Sequence, residues 1–286
     1  MSTSFVEGLV IGSLRSGTSV LYATLGEVLV ERAGIVNLGV EGAMLMGACI
    51  GFIATAQTGS VLVGILAAAL AGGLFNLLLA FLVVTRRANQ LASGLALMFF
   101  GLGLTAFLGR PYVGRRIEGL NHDILMYLVF PLAAFLWVGL FHTRSGLVLR
   151  AVGENRTAAC AAGLRPSRIQ YQALFLGGVL GALGGAHLAL AFTQIWVEGM
   201  TAVRGFIAVA LVIFSAWHPL IAVAGALLFG GAVAFQLQLQ ARGAPVSPFL
   251  LDMIPYLLTL TVLLFWGRTR KHTMPQGLKE VFEGTE

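Results

Sequence analysis

Between residues 149 and 166 the chain reads Leu149-Arg150-Ala151-Val152-Gly153-Glu154-Asn155-Arg156-Thr157-Ala158-Ala159-Cys160-Ala161-Ala162-Gly163-Leu164-Arg165-Pro166, a polar and basic island with long apolar runs on both sides. That contrast decides the fold. The runs are long enough to cross a bilayer and the island has to stay in water, so the chain reads as a bundle of membrane helices carrying one structured polar loop. Inside the island, Asn155 has the side chain of a helix N-cap, an Ala-rich segment follows, Gly163 stands where a chain-turning residue ends a helix, and Pro166 lies just beyond. The pattern predicts a two-turn helix from Arg156 to Ala162. Two turns nucleate poorly alone, so such a helix needs a surface to lie against. Its small, smooth wall of Ala159, Ala161 and Ala162 suits a cleft in another protein; the competing reading is an ordered loop packed on its own helices.

Composition agrees. Of 286 residues, 58% are hydrophobic and only 10% charged, far below the quarter that soluble domains carry. The formal charge of +6 comes from 18 Lys and Arg gathered mostly between apolar runs, so it reports topology and gives no support to nucleic-acid binding. Membrane lipid is the expected surroundings. Cys49 lies in an apolar run and Cys160 in the island, which does not suit a disulfide framework. The first residues have no basic n-region or small-residue cleavage site, so insertion is expected to use the first spanning helix.

At about 20 residues per crossing, spans fall near 14–31, 38–56, 60–84, 91–109, 123–141, 168–191, 201–216, 217–237 and 249–267, with about eight to ten crossings overall. The fold class is therefore an all-α polytopic membrane protein, residues 1–286 forming one transmembrane domain with a loop at 142–167 and a tail at 268–286. The run at 201–216 is short enough to be broken or re-entrant. If the island faces the cytoplasm, Arg32, Arg86, Arg87, Arg144, Arg150, Arg156, Arg165, Arg168, Arg268, Arg270, Lys271 and Lys279 share its side. Arg15, Arg110, Arg115, Arg116, Arg204 and Arg242 remain for the membrane or the far side, an asymmetry that puts the island and the C-terminal tail inside. A faint internal echo relates Gly34–Gly42 to Gly199–Ala208, each placing polar residues at the mouth of an apolar helix, as in inverted repeats built on interrupted helices. Glycine pairs such as Gly72-Gly73, Gly177-Gly178 and Gly184-Gly185 predict close helix packing.

Intramembrane polar residues are the candidates for function. Asn37 and Glu41, four apart, share one helix face and either line a pathway or cap and complement the N-terminus of their own helix. Asn76 lies deep in the 60–84 run and His187 deep in 168–191, with Gln194 and Glu198 just past its end and Arg204 opening the next run. His187 reads first as a hydrogen-bonded structural residue, and Arg204 as pairing with Glu198 or snorkelling. Both lysines, Lys271 and Lys279, sit in the tail, so the chain has no P-loop, and neither metal-ligand nor nucleophile motifs occur. No cofactor is called for. The chain is not expected to be an enzyme, and active transport would need energy from another subunit.

Glu31-Arg32-Ala33-Gly34-Ile35-Val36-Asn37-Leu38-Gly39-Val40-Glu41-Gly42, the island's Ala151-Val152-Gly153-Glu154-Asn155, and Arg204-Gly205-Phe206-Ile207-Ala208 with Trp217-His218-Pro219 resemble permeases of bacterial ABC importers. The similarity is to the branched-chain amino acid/simple sugar permease superfamily, and within it to nucleoside-uptake permeases. The resemblance implies a multi-pass subunit of the inner membrane that pairs with a second, homologous permease, with cytoplasmic ABC ATPase subunits and with an extracytoplasmic substrate-binding lipoprotein. It places Gly153, Glu154, Asn155 and Ala158, with Ala159 beside them, in the segment that couples to the ATPase. A substrate pathway would draw on Asn37, Glu41, Asn76, Gln194, Glu198 and Arg204. The implied cargo is a nucleoside or related small polar solute, a simple sugar being the alternative; an ion-coupled secondary transporter would have only Glu41 and His187 to titrate. Two positions depart from the family: Val203 stands where Gly is common, and Ser215-Ala216 replaces a Gly-basic pair.

Overall fold

The computed structural model describes residues 5–119, 123–243, 247, 250–251, 253–266 and 274–283. Each expected span has its helix. The long elements are α1 (Phe5–Arg32), α2 (Val40–Thr58), α3 (Val61–Ala80, continued by a π turn at Phe81–Thr85), α4 (Gln90–Gly109) and α5 (Ile124–His142). After the island helices α6 (Arg144–Glu154) and α7 (Arg156–Ala161) come α8 (Pro166–His187, with a π turn at Leu188–Phe192), α9 (Arg204–Phe214) and α10 (Pro219–Ala241). Helices α11 (Ile254–Trp266) and α12 (Gln276–Glu283) follow. Among the described residues, 6 helices are long and apolar enough to cross a membrane, which makes this a multi-pass protein. Helix α1 starts well before the expected boundary at 14, since Glu7 and Arg15 interrupt the apolar run without interrupting the helix.

Packing explains the internal echo. Helix α1 lies along α10 as α8 lies along α3, and α1 and α8 pack on each other between them. The carbonyl of Ala33, at the end of α1, accepts a hydrogen bond from Gln170 near the start of α8, so α1 arrives at the face from which α8 departs. The triplets α1-α2-α3 and α8-α9-α10 therefore run in opposite senses, with α2 and α9 in corresponding places. In lipid there is no hydrophobic force between helices, so backbone proximity must supply the attraction. A Cβ on Gly26 would meet the Gly177 carbonyl, one on Gly184 the Ser19 carbonyl, and one on Gly185 the Met44 carbonyl. These contacts weld α8 to α1 and α2.

The tail returns to the bundle. Leu278 of α12 is fully buried, in a cluster with Val28, Leu29, Val36, Leu140, Val212 and Trp217 at the island end. Arg268, Arg270 and Lys271 lie outside the described residues; Lys279 is on α12 and so on the island side.

Gly185→Val should prevent folding, because its side chain would occupy the backbone of α2, whereas Gly103→Val, with open space around it, should be tolerated. Monodisperse yield in detergent distinguishes them; equal yields would contradict the packing described.

Candidate functional site

The site grows out of the loop between α1 and α2. Residues 33–37 are buried although they form no helix, and a buried backbone must find partners. Here side chains from elsewhere supply them: Gln90 accepts from the Val36 N–H at 2.8 Å and Gln170 donates to the Ala33 carbonyl at 3.3 Å. Asn37 ties the loop to the bundle, its amide donating to Glu27 at 2.8 Å and its oxygen accepting from the Gly39 N–H at 3.0 Å. Glu27 lies five residues before the end of α1, roughly 7 Å along the axis, so the loop dips into the bundle before α2 begins.

One turn later comes Glu41. Its carboxylate accepts from Thr201 Oγ1 at 2.5 Å, from the Val203 N–H at 3.0 Å and from the Gly205 N–H at 2.6 Å. Val203 and Gly205 open α9, so Glu41 caps a helix far from it in sequence, meeting the orphan donors and the positive end of the dipole with a full negative charge. Gly205 is required by proximity: a Cβ there would sit 2.6 Å from the Glu41 Cα. From this point α9 runs toward the island end, where Trp217 donates to Glu31 at 2.6 Å. Its start thus lies roughly 15 Å inside, about half of a hydrocarbon core of about 30 Å. Two helices that enter from opposite faces begin side by side at the middle of the bundle.

The departures from the family pattern fall at strained backbone. Ala202 and Val203 have φ of 45° and 67°, and Ala216 and Trp217 have 52° and 57°. The left-handed region suits Gly, and a β-branched residue there is strained. The Glu41 bonds to Thr201, Val203 and Gly205 bracket the first pair and hold it.

At the island end the same loop meets the polar segment. Gly153 packs directly on the Arg32 carbonyl and on Gly34, with no room for a side chain. Arg32 donates to the Trp217 and Ala216 carbonyls at 3.2 and 3.3 Å, and its guanidinium lies over the Phe141 ring. Burial, and after it the neighbouring Arg150, lower the Arg32 pKa below the usual range, with Glu154 acting the other way. Asn155 is the N-cap of α7, its side chain accepting from the Ala158 N–H at 2.9 Å. Glu154 accepts from the Gln276 N–H at 3.1 Å and so caps α12. Ala158, Ala161 and Ala162 are exposed, but Ala159 is buried against its own chain; the smooth wall expected at Ala159, Ala161 and Ala162 is corrected to one without Ala159. The reason is the tight return of the chain, in which Leu164 bonds the Ala159 carbonyl.

The polar residues expected along a pathway separate into groups. Glu41 and Arg204 meet at the start of α9, and Asn37 lies one turn before Glu41, bonded to Glu27 of α1. Asn76 is buried elsewhere, between α3 and α8, donating to the Leu174 carbonyl at 3.2 Å. Gln194 holds the far-end loop, its carbonyl accepting from the Ile117 N–H, and Glu198 is exposed on that loop. His187 is paired with Asp123 at 2.9 Å, the hydrogen-bonded reading given to it first. Asp123, Thr201, Glu31 and Trp217 were not singled out as site residues, and only Glu31 and Trp217, through their place in the family-like segments, gave any signal.

Residues 9–263 match the family described as branched-chain amino acid transport system / permease component. A Haloferax volcanii protein provisionally named a glucose ABC transporter permease, TsgC13, is 36% identical, with 92% of each chain covered. The guanosine ABC transporter permease NupQ of Bacillus subtilis is 31% identical and the nucleoside ABC transporter permease NupC of Lactococcus lactis 32%, each aligned over 91% of this chain and 92% of the relative.

Glu41→Gln turns an amide toward backbone donors and should lower stability by about 2 kcal/mol, read as a fall in the thermal unfolding midpoint of the purified protein. Val203→Gly should raise that midpoint by removing roughly 1 kcal/mol of strain. A Glu41→Gln protein as stable as the parent would remove the cap from the account.

Proposed function

The chain belongs to the branched-chain amino acid transport system permease family, a family of transport subunits that associate with ATPase and substrate-binding components, and from that premise we propose what it carries and how it is driven. It is the membrane-spanning permease of an ABC importer that moves nucleosides or related small polar solutes across the inner membrane by alternating access. The nucleoside assignment rests on the names of NupQ and NupC and on the resemblance of the 31–42 segment to nucleoside permeases; the sugar name of TsgC13 keeps a simple sugar as the second reading. The island end faces the cytoplasm, together with α12, in keeping with the asymmetry of basic residues. The chain pairs with a second, homologous permease, ATP is hydrolysed in partner subunits, and a lipoprotein delivers solute from outside.

One observation carries the coupling: Gly153 is seated on the Arg32 carbonyl and on Gly34. Gly153 lies in the last turn of α6, and the exposed two-turn helix α7 follows it directly through Asn155, so α7 is joined by the end of α6 to the loop whose other end holds Glu41 against the start of α9. Movement imposed on α7 by an ATPase domain reaches the mid-bundle helix ends through a few packed residues. Ion coupling finds no support at Glu41 and His187: Glu41 is engaged by the Thr201 hydroxyl and two backbone donors, and His187 by Asp123.

Ala158 is exposed and Ala159 buried, so they separate docking from folding. In proteoliposomes with the partner ATPase, second permease and lipoprotein, Ala158→Glu should reduce ATP-dependent nucleoside uptake and solute-stimulated hydrolysis at least about tenfold, with normal insertion. Ala159→Glu should lower folded yield as well. Parent-like uptake by Ala158→Glu would refute the docking role.

A further inference from the structure

Arg204 is the first residue of α9 and is half-buried, and its guanidinium makes no ion pair among the described residues. Of the described carboxylates, Glu41 bears on it, and Glu41 already spends its oxygens on Thr201, Val203 and Gly205. Its side chain, a planar fork of donors, lines a cavity of about 340 Å³ between α9, α10, α11 and the π turn that ends α8. The cavity walls mix polar and apolar surface: Phe192, Phe229 and Tyr256 bring rings, and Arg204, Gln236 and the Tyr256 hydroxyl bring polar groups. The Arg204 guanidinium carbon stands 5.9 Å from the centre of the Phe192 ring. The volume falls within the range of small-molecule sites, about 300–1,000 Å³.

We infer that this cavity is a substrate subsite for the base of a purine nucleoside, with Arg204 reading the base edge and Phe192 and Tyr256 contacting its faces. The inference rests on the importer reading above and names the part of the solute recognised. What sets a base apart from a sugar here is the planar fork of Arg204 beside the rings of Phe192 and Tyr256. A planar base has faces to stack and an acceptor edge: O6 and N7 of guanine lie at the spacing of two arginine donors, the pairing that makes arginine the commonest reader of that base. Stacking on aromatic rings is tolerant of base identity, so the fork sets the preference. The position also suits transport. The cavity adjoins the helix end that Glu41 holds, so a change in the α1–α2 loop alters the site that grips the solute.

The test compares guanosine with 7-deazaguanosine, which lacks the N7 acceptor, in the reconstituted importer with one and the same lipoprotein. The parent should favour guanosine, and Arg204→Lys, which keeps the charge but loses the fork, should reduce the ratio of the two uptake efficiencies at least about fivefold, the low end of one bidentate contact. Parent-like rate and ratio in Arg204→Lys would show a snorkelling cation and overturn the subsite. Should Arg204→Lys fail to assemble, Tyr256→Leu decides, since that ring is half-exposed and bears little on folding. It should raise KM for guanosine severalfold at unchanged assembly, and an unchanged KM overturns the inference. A parent importer that takes up another solute and no nucleoside contradicts the functional reading itself, an outcome distinct from nucleoside uptake indifferent to both substitutions.

Discussion

A helix that begins inside a membrane leaves backbone N–H groups without water, and something in the protein must meet them. In this chain Glu41 does so for α9, and much of the rest can be read as the means of bringing that carboxylate there. The α1–α2 loop dips inward so that α2 starts beside α9; Asn37, Gln90 and Gln170 satisfy the loop that dips. Gly205 lets the two backbones touch. Because the bonds formed are charge-assisted and buried, they are strong when complete and costly when broken, which gives the pair of half-helices a defined arrangement.

The same loop has a second face. Its beginning carries Arg32 and Gly34, which support Gly153 of the island, and Glu31, which accepts from Trp217 at the end of α9. The three stretches that resemble permease sequences are therefore one structure in space: the first is the hub, the second rests on its outer end, and the third is held by it at both ends of α9. The tail helix joins them by taking its cap from Glu154 and burying Leu278 beneath the hub.

Much of the fold was legible because lipid makes severe demands on composition. Apolar runs located every long helix, and the shortness of the 201–216 run gave the broken element that α9 proves to be. The island helix followed from Asn155, Gly163 and Pro166, since capping is a local code. The partner of Glu41 was not legible: Gly205 is 164 residues away, and no periodicity links them. Nor could sequence separate the faces of a two-turn helix, so Ala159 was placed with the exposed alanines. In the sequence Val203 reads only as a departure; its meaning is the left-handed backbone, which sequence does not print. Asp123 carries no sequence signal because the residue it pairs with, His187, belongs to a helix much later in the chain.

The central claim is that Glu41 and the segment before α9 act as one unit, and a double-mutant cycle addresses it without reference to transport. Unfolding free energies of the parent, Glu41→Ala, Thr201→Val and the double variant, measured in one detergent, give the coupling between the two side chains. A coupling of about 1–2 kcal/mol is expected for a buried, charge-assisted hydrogen bond. Strict additivity would contradict the account, since it would mean that the carboxylate and the Thr201 hydroxyl do not meet.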